Sequence, residues 1–238
     1  MQEYRVTSFA ELHDALGNHR RDAGWIYRGH ADPNWPLLPR AGRPPFTGRP
    51  DEIFFRRWKS EAVQIEEQAP KDDWNWLALA QHHGFATRML DWTMKPLAAA
   101  WFAVIEPGRG DSVIHCFKTG NTVTDTTSQS PFERTGISQF IPTRVSPRVS
   151  RQIGVFTLHG PPTLPLEKGM TPLDRLEKIT ISANYRKELL FELNQYGVNA
   201  QSLFPNLVGL SRQFSWVMAS FDYWAEGLTG VKKETREI

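Results

Sequence analysis

The stretch QHHGFATRMLDWTMKPLAAAWFA, residues 81–103, organises the whole chain. It mixes polar side chains with Trp, Leu and Met in a way that a plain core segment does not need. Gly84 is placed to end one helix, a strand is predicted over residues 87–92, and Pro96 opens a helix over residues 95–105. The polar members predict a functional site; they are Gln81, His82, Thr87, Arg88, Asp91 and Thr93.

On both sides of this stretch, helical patterns alternate irregularly with short strands. Further helices are predicted over residues 8–20, 51–68, 74–83, 185–196 and from 207 onward. Further strands are predicted over residues 25–27, 111–118, 154–159 and 178–181, while residues 121–145 are predicted to be a long irregular excursion. The predicted fold class is α+β, with a mixed, mainly antiparallel sheet and flanking helices rather than regular βαβ units.

Two side-chain placements follow from this pattern. The apolar face of the helix over residues 51–68 is predicted to comprise Ile53, Phe54, Trp58, Ala62 and Ile65. Trp101 and Phe102, on the helix that ends the opening stretch, are both predicted to be core residues.

Composition narrows the function classes. The 238 residues fit one domain, and a net charge of only +2 provides no broad electrostatic footprint for nucleic acid. The single cysteine, Cys116, excludes a disulfide within the chain and a Cys-based zinc site, and it is predicted to be a buried thiol. No signal region and no apolar run of about 18 residues is present, so a cytoplasmic protein with no membrane partner is expected.

Several blocks resemble the FRG domain family. The segment IYRGH at residues 26–30, with WPLLP at 35–39, is similar to the Phe/Tyr-Arg-Gly motif that gives the family its name. The QHHG and TRMLDWT segments of the opening stretch resemble its central signature; Arg148 with QIGVFT at 152–157, and GV at 197–198 with LFPNL at 203–207, resemble two later blocks. The resemblance implies one FRG-like domain over residues 1–238, with a motif core at 6–210 and a helical extension at 211–238. It also implies a role in bacterial or phage defence or toxin systems.

A more distant resemblance is to ADP-ribosyltransferases with an Arg-Ser-Glu site. Those enzymes place an Arg at the end of a first strand, a Ser or Thr on a second and a Glu on a third. Arg28 and Thr93 are similar to the first two, whereas the third position holds Gln152, a neutral amide that cannot balance the positive charge formed as nicotinamide leaves. Asp91 or Glu192 is expected to replace the missing Glu, with Asp91 preferred.

This resemblance implies an enzyme that uses NAD as a substrate and modifies a protein or nucleic acid acceptor, with an antitoxin or another defence protein as partner. Arg28 is expected to bind the NAD pyrophosphate through forked hydrogen bonds, and Trp92 to stack on a ring. The predicted catalytic residues are Arg28, Asp91, Thr93 and Gln152. The predicted NAD-binding residues are Tyr27, Arg28, Gly29, His30, Gln81, His82, Thr87, Arg88 and Trp92.

Purely structural interpretations remain open for the same side chains. Arg28 could be salt-bridged to a carboxylate, and Arg88 and Asp91, three residues apart, could pair with each other. Thr93 could cap the following helix, and His82 is either a general acid/base or a hydrogen-bonding core residue. No metal site is predicted, because the adjacent histidines lack a ligand partner at the usual spacing.

Two other function classes stay open. A single-stranded RNA- or DNA-binding, or RNA-cleaving, module would use aromatic stacking beside a basic run. The side chains available for it are Trp35, Arg40, Arg43, Arg49, Arg56, Arg57 and Trp58. The second class is a sensor domain without catalysis, in which the central stretch is only structural.

Overall fold

The computed structural model describes residues 2–143 and 154–221. Seven strands in these ranges form one sheet; they are β1 (Glu3–Val6), β2 (Ile26–His30), β3 (Met89–Thr93), β4 (Ser112–Lys118), β5 (Gly136–Phe140), β6 (Gly154–Gly160) and β7 (Arg175–Ile181). Their order in the sheet is β1-β7-β4-β2-β3-β6-β5, and only β1 and β7 run parallel. The α+β prediction with a mainly antiparallel sheet is therefore confirmed.

Helices flank this sheet. Those in the described ranges are α1 (Phe9–Ala15), α2 (Gly17–Arg21), α3 (Asp51–Ala62), α4 (Asp73–His82), α5 (Pro96–Val104), α6 (Leu166–Gly169), α7 (Arg186–Gln195), α8 (Ala200–Leu203) and α9 (Leu207–Ala219), with 3₁₀ turns at Arg40–Gly42 and Ala183–Tyr185. Gly84 adopts φ of +84°, and the Phe85 N–H donates to the Ala80 carbonyl at 2.9 Å, which closes α4 as predicted. None of the described helices is long and apolar enough to cross a membrane.

The α4 and α5 helices stand on the same face of the sheet. Tyr27 of β2 lies opposite Thr93 of β3, and alternation along β3 places Met89 and Asp91 on that face as well. Tyr27 packs in the cluster formed with α5 and α7, whereas Met89 packs in the cluster formed with α3 and α4. The space between these two clusters leaves part of the sheet uncovered at β2 and β3.

The opposite face of the sheet is covered mainly by loops. Ile26, Leu90 and Trp92 of the central strands are buried there. Leu37, from the loop that follows β2, and Leu166, from the short α6, pack against them. The aromatic and proline-rich loop after β2 is thus anchored to the body of the protein by its leucine, as its composition indicates.

Two strands were not predicted. The four-residue β1 is too short and too polar to stand out, and β5, with sequence GISQF, follows a polar segment in which hydrophobic periodicity fades. Arg28 was expected at a strand end and instead lies in the middle of β2. The prediction that Cys116 is buried is confirmed, and Arg148, Gln152 and residues 222–238 lie outside the described ranges.

The predicted face of α3 is partly wrong. Ile53, Phe54 and Ile65 are exposed, and Phe55 is fully buried against the ring of Phe132. Trp58 packs in the same cluster, so the buried stripe starts at Phe55 rather than at Ile53. Phe55 faces inward because it packs on Phe132. Phe132 belongs to the segment predicted to be irregular, so no pattern in the sequence indicated this contact.

The α5 helix lies directly on the backbone of β2. A Cβ atom at Gly29 would lie 2.0 Å from the Ala99 carbonyl oxygen and 2.5 Å from the Ala103 nitrogen. The small residues of α5 and the absence of a side chain at position 29 together permit this contact. Trp101 of α5 is buried as predicted, but Phe102 is 40% exposed, which contradicts its assignment to the core.

Gly29→Ala is expected to destabilise the protein by about 1–3 kcal/mol, because the added methyl group would collide with main-chain atoms that cannot rotate away. Gly120→Ala is the matched control, since a Cβ there meets no atom within 4 Å. Urea unfolding monitored by circular dichroism measures both. Equal unfolding free energies for the two variants would contradict the close contact of β2 and α5.

Candidate functional site

A cleft of about 690 Å³ is lined by residues of α4, α5, β2, β3 and the loop that follows β2. This volume lies within the range of small-molecule sites in proteins. Its polar lining comprises Arg28, His30, Arg43, Asn75, His82, Asp91, Thr93, Lys95, Glu106, Thr143 and Ser202. Three cations, Arg28, Arg43 and Lys95, outnumber two carboxylates, Asp91 and Glu106, in this described lining. Arg43 and Lys95 make no ion pair with any described residue.

Arg28 bridges β2 and β3. Tyr27 and Thr93 are the one residue pair that joins these strands in the described ranges. The Arg28 Nη1 donates to the Asp91 carbonyl at 2.7 Å and lies 4.0 Å from the Asp91 Oδ2. The expected ion pair between Arg28 and a carboxylate is therefore present, at the limit of contact distance, while the side chain keeps 22% of its surface exposed to the cleft.

His30 is held as a neutral acceptor. The Arg28 Nε donates to the His30 Nε2 at 2.8 Å, and because guanidinium has only donors, the His30 proton must be on Nδ1. Burial, and then the charge of Arg28, lower the pKa of His30 to about 3. His30 thus orients Arg28 and stays uncharged at neutral pH.

Asp91 is positioned by the end of α4. The Gln81 Nε2 donates to the Asp91 Oδ2 at 2.7 Å, and the Gln81 Oε1 accepts from the Thr87 hydroxyl at 2.5 Å. Thr87 is buried and its Oγ1 also accepts from the Met89 N–H at 3.0 Å. The carboxylate of Asp91, which is 56% exposed, is therefore aimed into the cleft by a chain of hydrogen bonds from within the central stretch.

Thr93 and Trp92 differ in what they offer to a ligand. The Thr93 Oγ1 accepts from the Lys95 N–H at 3.1 Å, and Lys95 rather than Thr93 is the N-cap of α5. The capping interpretation of Thr93 is therefore wrong. Trp92 touches the cleft but is only 4% exposed, because its Nε1 donates to the Thr157 hydroxyl at 2.9 Å and its ring packs against Phe117. Its buried indole therefore does not support the predicted stacking on a ligand ring.

Arg88 lies away from the cleft. Its Nε and Nη2 donate to the two carboxylate oxygens of Asp51, each at 2.8 Å, and its guanidinium lies over the ring of Phe132. Arg88 therefore pairs with Asp51 and not with Asp91. This forked pair joins the start of α3 to the start of β3, which is a structural role. Arg88 does not line the cleft, so its position does not support the predicted role in NAD binding.

Of the other predicted residues, some line the cleft and some do not. Tyr27, Gly29 and His82 line the cleft. Burial, followed by the neighbouring His83, lowers the pKa of His82, with Asp91 opposing the shift, so His82 is neutral at pH 7. Glu192 lies on α7, where it accepts from the Tyr185 hydroxyl, and it is not among the residues that line the cleft.

Several lining residues were not singled out as part of this site. The exposed indole of Trp35 touches the edge of His30, and Arg43 follows in the same loop. The sequence had assigned both only to the nucleic-acid-binding alternative, and Trp35 also to the WPLLP segment of the family resemblance. Phe102 of α5, which the sequence had assigned to the core, also lines the cleft, as does Glu106, which follows α5 and had no local signal. The described residues contain no group of three or more His, Cys, Asp or Glu side chains able to hold a metal ion.

The central part of this site lies in a segment that matches a known protein family. Residues 23–112 match the model of the FRG domain family. The chain contains an FRG domain. The match runs from just before β2 to the start of β4 and includes both Arg28 and Asp91.

The FRG domain match does not reach the two later blocks of the sequence resemblance, which stay predictions. No curated protein and no solved structure matches the chain. The resemblance to ADP-ribosyltransferases also stays a prediction.

Arg88→Ala is expected to destabilise the FRG domain by about 3–5 kcal/mol, because it leaves the buried carboxylate of Asp51 without its partner. Arg57→Ala is the control, since Arg57 is exposed and lies 3.8 Å from the equally exposed Glu61. That change should cost less than about 1 kcal/mol. Chemical denaturation compares the two, and similar losses would refute a structural role for the buried pair.

Stability is expected to fall as the pH drops below about 6.5, the usual histidine pKa. Burial lowers the pKa of His30 to about 3, of His115 to about 2 and of His159 to about 4, so the unfolded chain binds up to three more protons than the folded one. The contribution of these neutral histidines to the free energy of unfolding is complete above about pH 6.5, the histidine pKa in the unfolded chain. It is lost as the pH falls towards their lower pKa values in the folded protein. The free energy of unfolding should fall by up to about 4 kcal/mol per pH unit between pH 6 and 4.

Urea titrations at a series of pH values test this slope. His115→Leu should reduce it by about one proton, whereas the exposed His13→Gln should leave it unchanged. A stability that is constant between pH 7 and 5 would show that these histidines are not held neutral.

Proposed function

We propose that this FRG-domain protein is an NAD-dependent, ADP-ribosyltransferase-like enzyme that modifies a protein or nucleic acid as an effector of a bacterial or phage defence or toxin system. The observation that carries the proposal is the convergence of Arg28, Asp91 and Thr93, from two adjacent strands, on one cleft of ligand size. Arg28 supplies cationic donors, Asp91 an exposed carboxylate, and Thr93 a hydroxyl between them and the start of α5.

In the proposed chemistry the bond between ribose C1′ and nicotinamide breaks, nicotinamide keeps the electron pair, and the acceptor nucleophile bonds to C1′ and loses its proton. Asp91 would balance the positive charge that develops at C1′. Its exposed carboxylate and its hydrogen bond from Gln81 support this assignment over Glu192, which lies elsewhere. His82, neutral and on the cleft wall, is available to take the acceptor proton.

Gln152, the residue at the third position of the resemblance, lies outside the described ranges and stays a predicted catalytic residue. It precedes by two residues Gly154, which lines the cleft and lies opposite Thr93 in the sheet register. An amide at this position would hydrogen-bond to a ribose hydroxyl rather than balance charge. The charge-balancing role in the proposal therefore belongs to Asp91.

The nucleic-acid-binding alternative receives less support from the contacts of its basic run. Arg56 and Arg57 are each paired with a glutamate four residues away on α3. Arg40 donates to the Gly84 carbonyl and lies over Phe46. Trp58 packs against Trp76 and Phe85, so its ring is not displayed for base stacking.

Asp91→Asn is expected to lower nicotinamide release from NAD by at least about 100-fold, since one charge-stabilising group in an active site contributes that much. Asp14→Asn, an exposed change on α1, should have no effect. Labelled NAD incubated with the protein and cell extract gives the readout as free nicotinamide and as label on macromolecules. No nicotinamide release by the unchanged protein, or equal rates for the two variants, would overturn the proposal and favour a sensor without catalysis.

A further inference from the structure

Arg43 is a second guanidinium at the cleft, contributed by the loop after β2. Its side chain is exposed, lines the same cleft as Arg28, and makes no hydrogen bond or ion pair within residues 2–143 and 154–221. The positive charge of Arg43 lowers the pKa of both Arg28 and His30, after the larger effect of burial on each. Two guanidinium groups therefore face one space, whose lining carboxylates among the described residues are Asp91 and Glu106.

The loop holds Arg43 in place. The Arg43 N–H donates to the Arg40 carbonyl at 3.1 Å and the Ala41 N–H donates to the Thr87 carbonyl at 3.1 Å, which ties the 3₁₀ turn to the start of β3. Gly42 packs against the Pro162 carbonyl so closely that a Cβ would lie 2.1 Å from its oxygen. The backbone that carries Arg43 is thus fixed relative to the sheet, and its unpaired side chain starts from a defined position beside the cleft.

Arg28 cannot serve a diphosphate by itself. Its Nε–H is used by His30 and one N–H of Nη1 by the Asp91 carbonyl, which leaves the other N–H of Nη1 and the two of Nη2 for a ligand. These three donors lie on one end of a planar group and suit the oxygens of one phosphate. A second phosphate needs another cation, and Arg43 is the unpaired guanidinium in the described lining.

We propose that Arg28 and Arg43 together bind a nucleoside diphosphate group, with one guanidinium on each phosphate. The inference rests on the proposed function in that this group would be the pyrophosphate of NAD, but the anion site is testable without turnover. Trp35, 46% exposed beside His30 at the same cleft, offers a ring face to the nucleobase. The ligand class is therefore a nucleotide with two linked phosphates, in preference to one with a single phosphate.

Isothermal titration of the full chain with ADP and with AMP, at low salt, tests the site. ADP should bind at least about 10-fold more tightly than AMP, because a further charge-assisted hydrogen bond has roughly that effect. Arg43→Ala should weaken ADP binding by about 10- to 100-fold and AMP binding by less than about 3-fold. Arg49→Ala, an exposed arginine of the same loop outside the cleft lining, is the matched control and should change neither.

Three outcomes would overturn the assignment: no ADP binding, equal affinities for ADP and AMP, or equal effects of Arg43→Ala and Arg49→Ala. Nicotinamide release by the same variants separates this inference from the proposed function. The ADP pattern without nicotinamide release would support the diphosphate site and refute the transferase. Nicotinamide release with the same KM for NAD in both variants would keep the transferase and remove Arg43 from the site.

Discussion

The guanidinium of Arg28 joins two central strands that their backbones leave almost unpaired. Its bond to the Asp91 carbonyl crosses from β2 to β3, and its bond to His30 fixes the side chain from its own strand. Hydrogen bonds from a charged donor each contribute about 1.5–3 kcal/mol in proteins. The bond to the Asp91 carbonyl connects the two strands, and the bond to His30 fixes the direction of the guanidinium. The cleft exists because the strands separate there, and the residue that spans the gap also presents charge to it.

The chemical state of His30 is part of the same interaction. An arginine can only donate, so the bond from Arg28 requires a histidine with a free lone pair, and burial keeps that lone pair unprotonated at neutral pH. Arg88, only a few residues before Asp91, is satisfied in a different way, because both its Nε and Nη2 meet the carboxylate of Asp51. Arg28 therefore has N–H donors left for a ligand in the cleft, whereas Arg88 uses its forked edge to connect α3 to the start of β3.

The sequence predicted those features that are determined by residues close to them along the chain. Gly84 ended its helix, the strand over residues 87–92 differed by two residues at its start and one at its end, and Gln81 and Thr87 of the central stretch are connected to Asp91 by hydrogen bonds. Features that depend on contacts with residues far away in the sequence were not predicted. Phe55 replaced Ile53 on the inner face of α3 because Phe132 packs there, and Arg88 paired with Asp51, 37 residues away, rather than with Asp91 on its own strand. No spacing rule along the chain reports such contacts, and the same holds for Glu106 on the cleft wall.

The contact of Gly29 with the backbone of α5 has a mechanical consequence for the cleft. Main-chain atoms in direct contact leave no side chains between them to repack, so the floor at β2 and the wall at α5 must move as a single piece. The opposite wall, at α4, rests on β3 through side chains such as Met89, and β3 is tied to β2 mainly through Arg28. A change in the width of the cleft therefore has one hinge line, between β2 and β3, and the hydrogen bond from Arg28 to the Asp91 carbonyl crosses it.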